Sequence, residues 1–240
     1  MHPFYKLFFF LTCFSNAFGQ RAVENEIDFP NEVSLGINTN TNGGLISGFN
    51  FRYTYQFEEK KYRLFYLETV NVKHEKEERF PTGNNGTFIP GKVYYLFSIR
   101  PSYGREINLF KKFPENGVRL NFTYSAGPSL GLIKPYMIKY PKADTLGFDI
   151  LPYNPSIHSL SLIEGDAGLL NGLGLAKFNP GIHSRTSLNF EYGPFDDLKI
   201  GVETGVTMEA FAKKNVLMVN NETRRIYTAF FVHFYYGFTF

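Results

Sequence analysis

Read back from Phe240, the last fifteen residues alternate. Phe240, Phe238, Tyr236, Phe234, Val232, Phe230 and Ile226 share one apolar face, interrupted only by Thr228. The opposite face mixes Thr239, Gly237, Tyr235, His233, Phe231, Ala229, Tyr227 and Arg225. A period of two sends successive side chains to opposite faces of a strand. A strand greasy on one face, mixed on the other and ending on an aromatic suits a wall between lipid and a polar lumen. The competing reading is a strand of a soluble sandwich.

Seven further segments repeat the alternation: 32–38, 45–57, 62–73, 92–103, 117–131, 182–192 and 198–210. In 45–57, for example, Phe49, Phe51, Tyr53, Tyr55 and Phe57 oppose Gly48, Asn50, Arg52, Thr54 and Gln56. The segment 62–73 leaves its facing open, because Glu68 falls among Tyr62, Leu64, Tyr66, Val70 and Val72; a register slip or a bulge would account for it. The connections alternate as well. Those at 57–61, 104–116 and 193–197 are short or moderate, and those at 74–91, 132–181 and 210–223 are longer. With the first strand rising from the periplasm, every long link falls outside and Phe240 sits at the periplasmic rim. The expected fold is therefore all-β, a closed antiparallel transmembrane barrel of eight strands with one long outer loop. Ten strands stay open, since 132–181 has room for a further hairpin around Leu169-Leu170-Asn171-Gly172-Leu173-Gly174-Leu175.

The N-terminus fits an exported chain. Lys6 precedes the apolar run 7–14, and Ala17-Phe18-Gly19 has the form of a signal-peptidase site, so residues 1–19 read as a signal peptide and 20–240 as the barrel. The run is too short for a spanning helix of about 20 residues. Cys13, after Leu11-Thr12, makes a poor lipobox. Net charge is +3, or +2 without Lys6, and gives no basic surface for nucleic acid. Aromatics reach 18% with no Trp, so Tyr and Phe must supply any interfacial girdles.

The signal peptide, terminal Phe and eight amphipathic strands resemble the small outer-membrane β-barrel proteins of Gram-negative bacteria. The Phe/Tyr/Asn-rich style, with Lys134-Pro135-Tyr136 after Gly127-Pro128-Ser129-Leu130-Gly131-Leu132, is similar to an uncharacterised barrel family of the Bacteroidota. The resemblance covers the chain beyond residue 19. It implies residence in the cell outer membrane, contact with outer-membrane lipid and lipopolysaccharide, and recognition by the barrel-insertion machinery. Tyr236, Phe238 and Phe240 would be the C-terminal insertion signal, although Gly237 lies nearer the end than the usual upstream glycine. Activity is not implied, because such barrels host unrelated functions.

An eight-stranded barrel is just wide enough for side chains to fill. The inward faces hold His183, His233 and Lys199 beside a predicted lumen charge network of Arg52, Arg100, Arg119, Arg185, Glu191, Glu203 and Glu209, since buried charges must be paired. Catalytic signals are weak. His183 precedes Ser184 of opposite facing, and His158-Ser159 lies in a loop with Ser161 beyond, so neither histidine has assured reach to a nucleophile. Asp144, Asp149, Glu164 and Asp166 lack metal-site spacing, and no cofactor motif occurs. The mixed run from Lys73 to Arg79 reads as a solvated rim, with lipopolysaccharide phosphates as its functional alternative. Asn85, Asn121 and Asn221 open Asn-x-Thr triplets that matter only on a eukaryotic secretory route.

The 132–181 link carries the strongest functional expectation. It holds Pro135, Pro141, Pro152, Pro155 and Pro180, the aromatics Tyr136, Tyr140, Phe148, Tyr153 and Phe178, and the Leu/Gly stretch. Links of this length are usually functional or disordered, and these apolar groups favour a segment that folds back as a cap or meets a partner. The expected function is a non-enzymatic barrel whose outer loops bind a protein partner, surface polysaccharide or lipopolysaccharide. The alternatives are an enzyme acting on lipid A and an accessory subunit of an assembly or secretion complex.

Overall fold

A computed structural model describes residues 31–58, 61–82, 86–110, 118–142, 146–195, 198–219 and 223–240. The expected signal peptide and Asn85, Asp144 and Asn221 lie outside the described residues. The chain begins with β1 (Asn31–Asn40), β2 (Gly44–Glu58) and β3 (Lys61–Val72). Beyond two short strands, β4 (Phe80–Pro81) and β5 (Thr87–Phe88), come β6 (Tyr94–Phe110) and β7 (Arg119–Pro135). The short strands β8 (Met137–Pro141), β9 (Phe148–Pro152) and β10 (Gly165–Asp166) precede β11 (Lys177–Phe195), β12 (Leu198–Asn215) and β13 (Arg224–Thr239).

Eight long strands close in the order β1-β13-β12-β11-β7-β6-β3-β2. The seam joins β1 to β13 antiparallel, from Glu32 opposite Thr239 to Asn40 opposite Phe231. Closure satisfies every ladder without an open edge, which is what a strand-built wall requires in lipid. Burial is inverted relative to a soluble protein. Leu35, Phe49, Phe65, Ile182, Phe230, Phe234 and Phe238 stand exposed on the outer wall, while Arg52, Asn121, Asn189 and Glu203 are sealed inside. An apolar outer wall around a polar, closed interior is an outer-membrane barrel.

Strand ends reach further than the alternation indicates. β6 continues to Phe110, which brings Glu106 out of the expected 104–116 link and into the wall. β7 runs to Pro135 and β11 starts at Lys177, so the long link shrinks from 132–181 to 136–176. β12 continues to Asn215. Barrel strands standing proud of the membrane lose the lipid-driven alternation but keep their ladder. The facing of 62–73, left open by the alternation, is set by a regular strand with no slip or bulge between Tyr62 and Val72 in its pairing with β6. β3 pairs without irregularity with β2 from Tyr62 to Val70 and with β6 from Lys61 to Val72, so Tyr62, Leu64, Tyr66, Glu68, Val70 and Val72 all point inward.

The long link does contain a hairpin, β8–β9, but it stands outside the barrel in a three-stranded sheet of order β10-β8-β9. The Leu169–Leu175 stretch is not a strand; it ends in a 3-10 turn, Leu173–Leu175. The barrel has eight strands.

Candidate functional site

The lumen is filled in two tiers. Toward the outer mouth, Val70, Val72, Leu96, Phe211, Leu217 and Tyr227 form a buried apolar plug, with Ile133 packed against it. Beneath it lies the charge network. Glu68 of β3 receives Arg100 Nη1 at 3.1 Å and Arg185 Nη1 at 3.0 Å, and Asn38 Nδ2 also donates to it. Arg100 reaches on to Glu209, Nη2 to Oε2 at 2.6 Å. Arg185 reaches on to Glu203, whose carboxylate also accepts Ser187 Oγ at 2.5 Å and the Tyr66 hydroxyl. The Arg185 guanidinium lies 3.7 Å from the Phe231 ring centre, so its flat face is covered as well as its edge.

A second knot sits nearer the inner rim. Arg52 donates to Glu32 at 2.5 Å and to Glu106 at 3.2 Å, and lies 4.6 Å from the Tyr235 ring centre. Glu106 also accepts Asn121 Nδ2 at 2.7 Å. Lys199 bridges Glu32 at 3.1 Å and Glu191 at 3.0 Å. Six carboxylates (Glu32, Glu68, Glu106, Glu191, Glu203 and Glu209) thus meet five fixed cations (Arg52, Arg100, Arg119, Arg185 and Lys199) in near balance.

All seven network residues expected from the sequence point inward; Arg100 meets Glu209, Arg185 meets Glu203 and Arg119 lies near Glu191, while Arg52 turns to Glu32 and Glu106 outside the expected set. Arg119 stands 3.9 Å from Glu191 and is partly exposed, while Lys199 makes the closer contact. Glu32, Glu68 and Glu106 were missing from the expected set, yet Glu68 joins Arg100 to Arg185, and Glu32 and Glu106 hold Arg52. Glu32 could have been found from its phase on 32–38, and Glu68 from the rule that a lone carboxylate in a membrane wall points inward.

The histidine arrangements do not form a catalytic pair. His183 is buried in the lumen, and Ser184 faces outward. Ser187 is held by Glu203. His158 Nδ1 accepts the backbone N–H of Asn154 at 3.1 Å and its ring packs 4.8 Å from Tyr140, while the Ser159 and Ser161 hydroxyls bond each other at 3.1 Å. Asn121 is fully buried, so its triplet is no glycan acceptor.

Above the barrel, the short strands build a folded cap. Its core is Phe88, Ile89, Tyr95, Tyr136, Ile138, Tyr153 and Ile163. Tyr95 and Tyr136 meet edge-on at 5.6 Å, as do Phe88 and Tyr153 at 5.2 Å, and the Tyr136 hydroxyl accepts the Ile89 N–H at 3.0 Å. Burial pushes the Tyr136 and Tyr153 phenols up. The rim reading of the run from Lys73 to Arg79 is corrected at one residue: Glu77 turns inward to Lys92, whose ammonium is buried and pushed down by desolvation.

The two edges of the cap sheet differ. Beside β10, Thr82 Oγ1 of the β4–β5 hairpin donates to the Glu164 carbonyl at 2.7 Å. β9 pairs with β8 alone among the described residues, and all five of its residues are exposed. The carbonyls of Met137 and Lys139 are taken by the N–H groups of Ala167 and Glu164, so these two residues face β10 and their neighbours Ile138 and Tyr140 face β9. Antiparallel alternation then aims the backbone N–H and C=O of Phe148 and Ile150, across from Pro141 and Lys139, at the free edge.

No protein-family model and no curated sequence matches the chain. Similar solved structures include the attachment invasion locus protein Ail of Yersinia pestis in complex with the heparin analogue sucrose octasulfate. It is 10% identical, with TM-score 0.41 over 89% of this chain and 100% of that one. Another is Neisserial surface protein A, 10% identical, with TM-score 0.39 over 88% of this chain and 97% of that one.

Proposed function

We propose that this protein is a non-enzymatic outer-membrane barrel whose outer cap binds a partner protein by strand addition to β9. One observation carries the reading: β9 is exposed on both faces and along its outer edge, while the opposite side of the sheet is covered by the β4–β5 hairpin. An uncovered edge is a template for another strand, and a stable sheet that leaves one open at the cell surface is suited to accept one. The filled lumen supports a role at the surface over one in transport.

The test is a photo-crosslinking residue at Phe148 in cells, with and without Ile150→Pro. The proline deletes the free-edge donor and leaves the bonds to β8 in place. A discrete protein adduct that disappears with Ile150→Pro supports strand addition. An adduct that survives it, or one carrying only surface polysaccharide or lipopolysaccharide, contradicts it. The lipid A acyl pattern with and without the protein tests the enzymatic alternative; a changed pattern would overturn the non-enzymatic reading. The exposed Tyr236 and Phe238 of β13, with the terminal Phe240 beyond it, are on this proposal what the barrel-insertion machinery reads.

A further inference from the structure

Residues 167–176, between β10 and β11, carry no charge: Ala-Gly-Leu-Leu-Asn-Gly-Leu-Gly-Leu-Ala. Their position is fixed by Lys134. This lysine shares the outward phase of Leu130 and Leu132 on β7, yet it is fully buried, because its ammonium donates to the carbonyls of Gly168 at 3.3 Å and Leu169 at 2.7 Å. The segment therefore lies against the outer wall of the barrel and not over its mouth. Gly172 seats it there: its φ is +83°, and a Cβ would fall 2.8 Å from Met137 Cγ.

Four leucines project from this seat. Leu170 is 81% exposed, and Leu169, Leu173 and Leu175 are each about half exposed. Directly below, Phe178 pairs with Leu132 and stands exposed at the head of the outward face of β11, which continues through Ile182 and Leu188. The leucines thus extend the lipid-facing band upward, with exposed Asn171 among them and Lys177 at the junction. Lys177, exposed at the junction, has a long stem that lets its charge reach the headgroup layer. A contiguous apolar patch of this kind marks a surface that is covered in use.

We infer that residues 168–175 dip into the outer leaflet, where acyl chains cover Leu169, Leu170, Leu173 and Leu175. The segment anchors one side of the cap to the membrane surface. This contact is separate from the β9 edge and stands without it.

The test uses a Cys13→Ser chain refolded into phosphatidylcholine vesicles, with a polarity-sensitive fluorophore on Leu170→Cys. Phe178→Cys serves as the lipid reference and Ile157→Cys, on the exposed cap, as the water reference. The expected result is a blue-shifted Leu170 probe that nitroxide-labelled phospholipid quenches as strongly as the Phe178 probe, and that iodide spares. Iodide quenching equal to that at Ile157 would overturn the inference. So would shielding from both quenchers, the mark of a second copy or a protein cover. Leu175→Cys repeats the measurement if labelled Leu170→Cys loses heat-modifiable mobility.

Discussion

Arg185 and Glu203 meet across neighbouring strands, with Nε hydrogen-bonded to Oε1 at 3.2 Å and Nη2 lying 3.1 Å from Oε2, both side chains almost wholly buried. Removing either partner strands a charge inside the barrel. Glu203→Ala should destabilise the protein by about 3–5 kcal/mol. Arg119→Ala should cost less than about 2 kcal/mol, because Lys199 still holds Glu191 and Arg119 is partly solvated. Urea unfolding from lipid vesicles reads both; equal effects would contradict the partnerships described.

Gly201 and Tyr235 form a second constraint. A Cβ at Gly201 would fall 2.1 Å from the Tyr235 ring, whose hydroxyl donates to Asn189 at 2.7 Å and whose face covers Arg52. Gly201→Val should displace that ring and cost about 1–3 kcal/mol. The Tyr235→Ala background should absorb most of the penalty, which a double-mutant cycle would reveal.

The outer wall should reject charge. Val202 lies in the outward phase with Ile200 and Val206. Val202→Arg should lose about 2–4 kcal/mol if it sits near the bilayer midplane. An unchanged unfolding midpoint would mean the wall is not facing lipid at that level.

Phe240 closes the seam: its N–H donates to the Asn31 carbonyl at 3.0 Å, and its side chain is exposed on the outward face with Phe238 and Tyr236. Deleting Phe240 should lower the amount of protein inserted in the outer membrane, measured by fractionation and heat-modifiable mobility. Normal levels would remove Phe240 from the insertion signal.

The alternation made seven of the eight strands and their facing legible, because lipid on one side and a polar lumen on the other impose a period of two. It failed where the lumen itself is apolar. On β3, Tyr62, Leu64, Val70 and Val72 fill the interior as ordinary packing does, so hydrophobicity no longer separated inside from outside, and Glu68 was the sole clue. Glu106 was lost for a different reason: it lies near the inner rim, where β6 runs on without a lipid-driven pattern. The cap was legible as a folded segment from its aromatics. Its sheet was not, since strands as short as Met137–Pro141 and Phe148–Pro152 carry too few residues to show a period.

The lumen is filled, and the proposed role at the outer surface rests on that packing. Conductance of the purified protein in planar lipid bilayers tests it directly. The charge network and the plug of Phe211, Leu217 and Tyr227 predict no stable channel. A reproducible porin-sized conductance would contradict both the packed lumen and the surface role built on it.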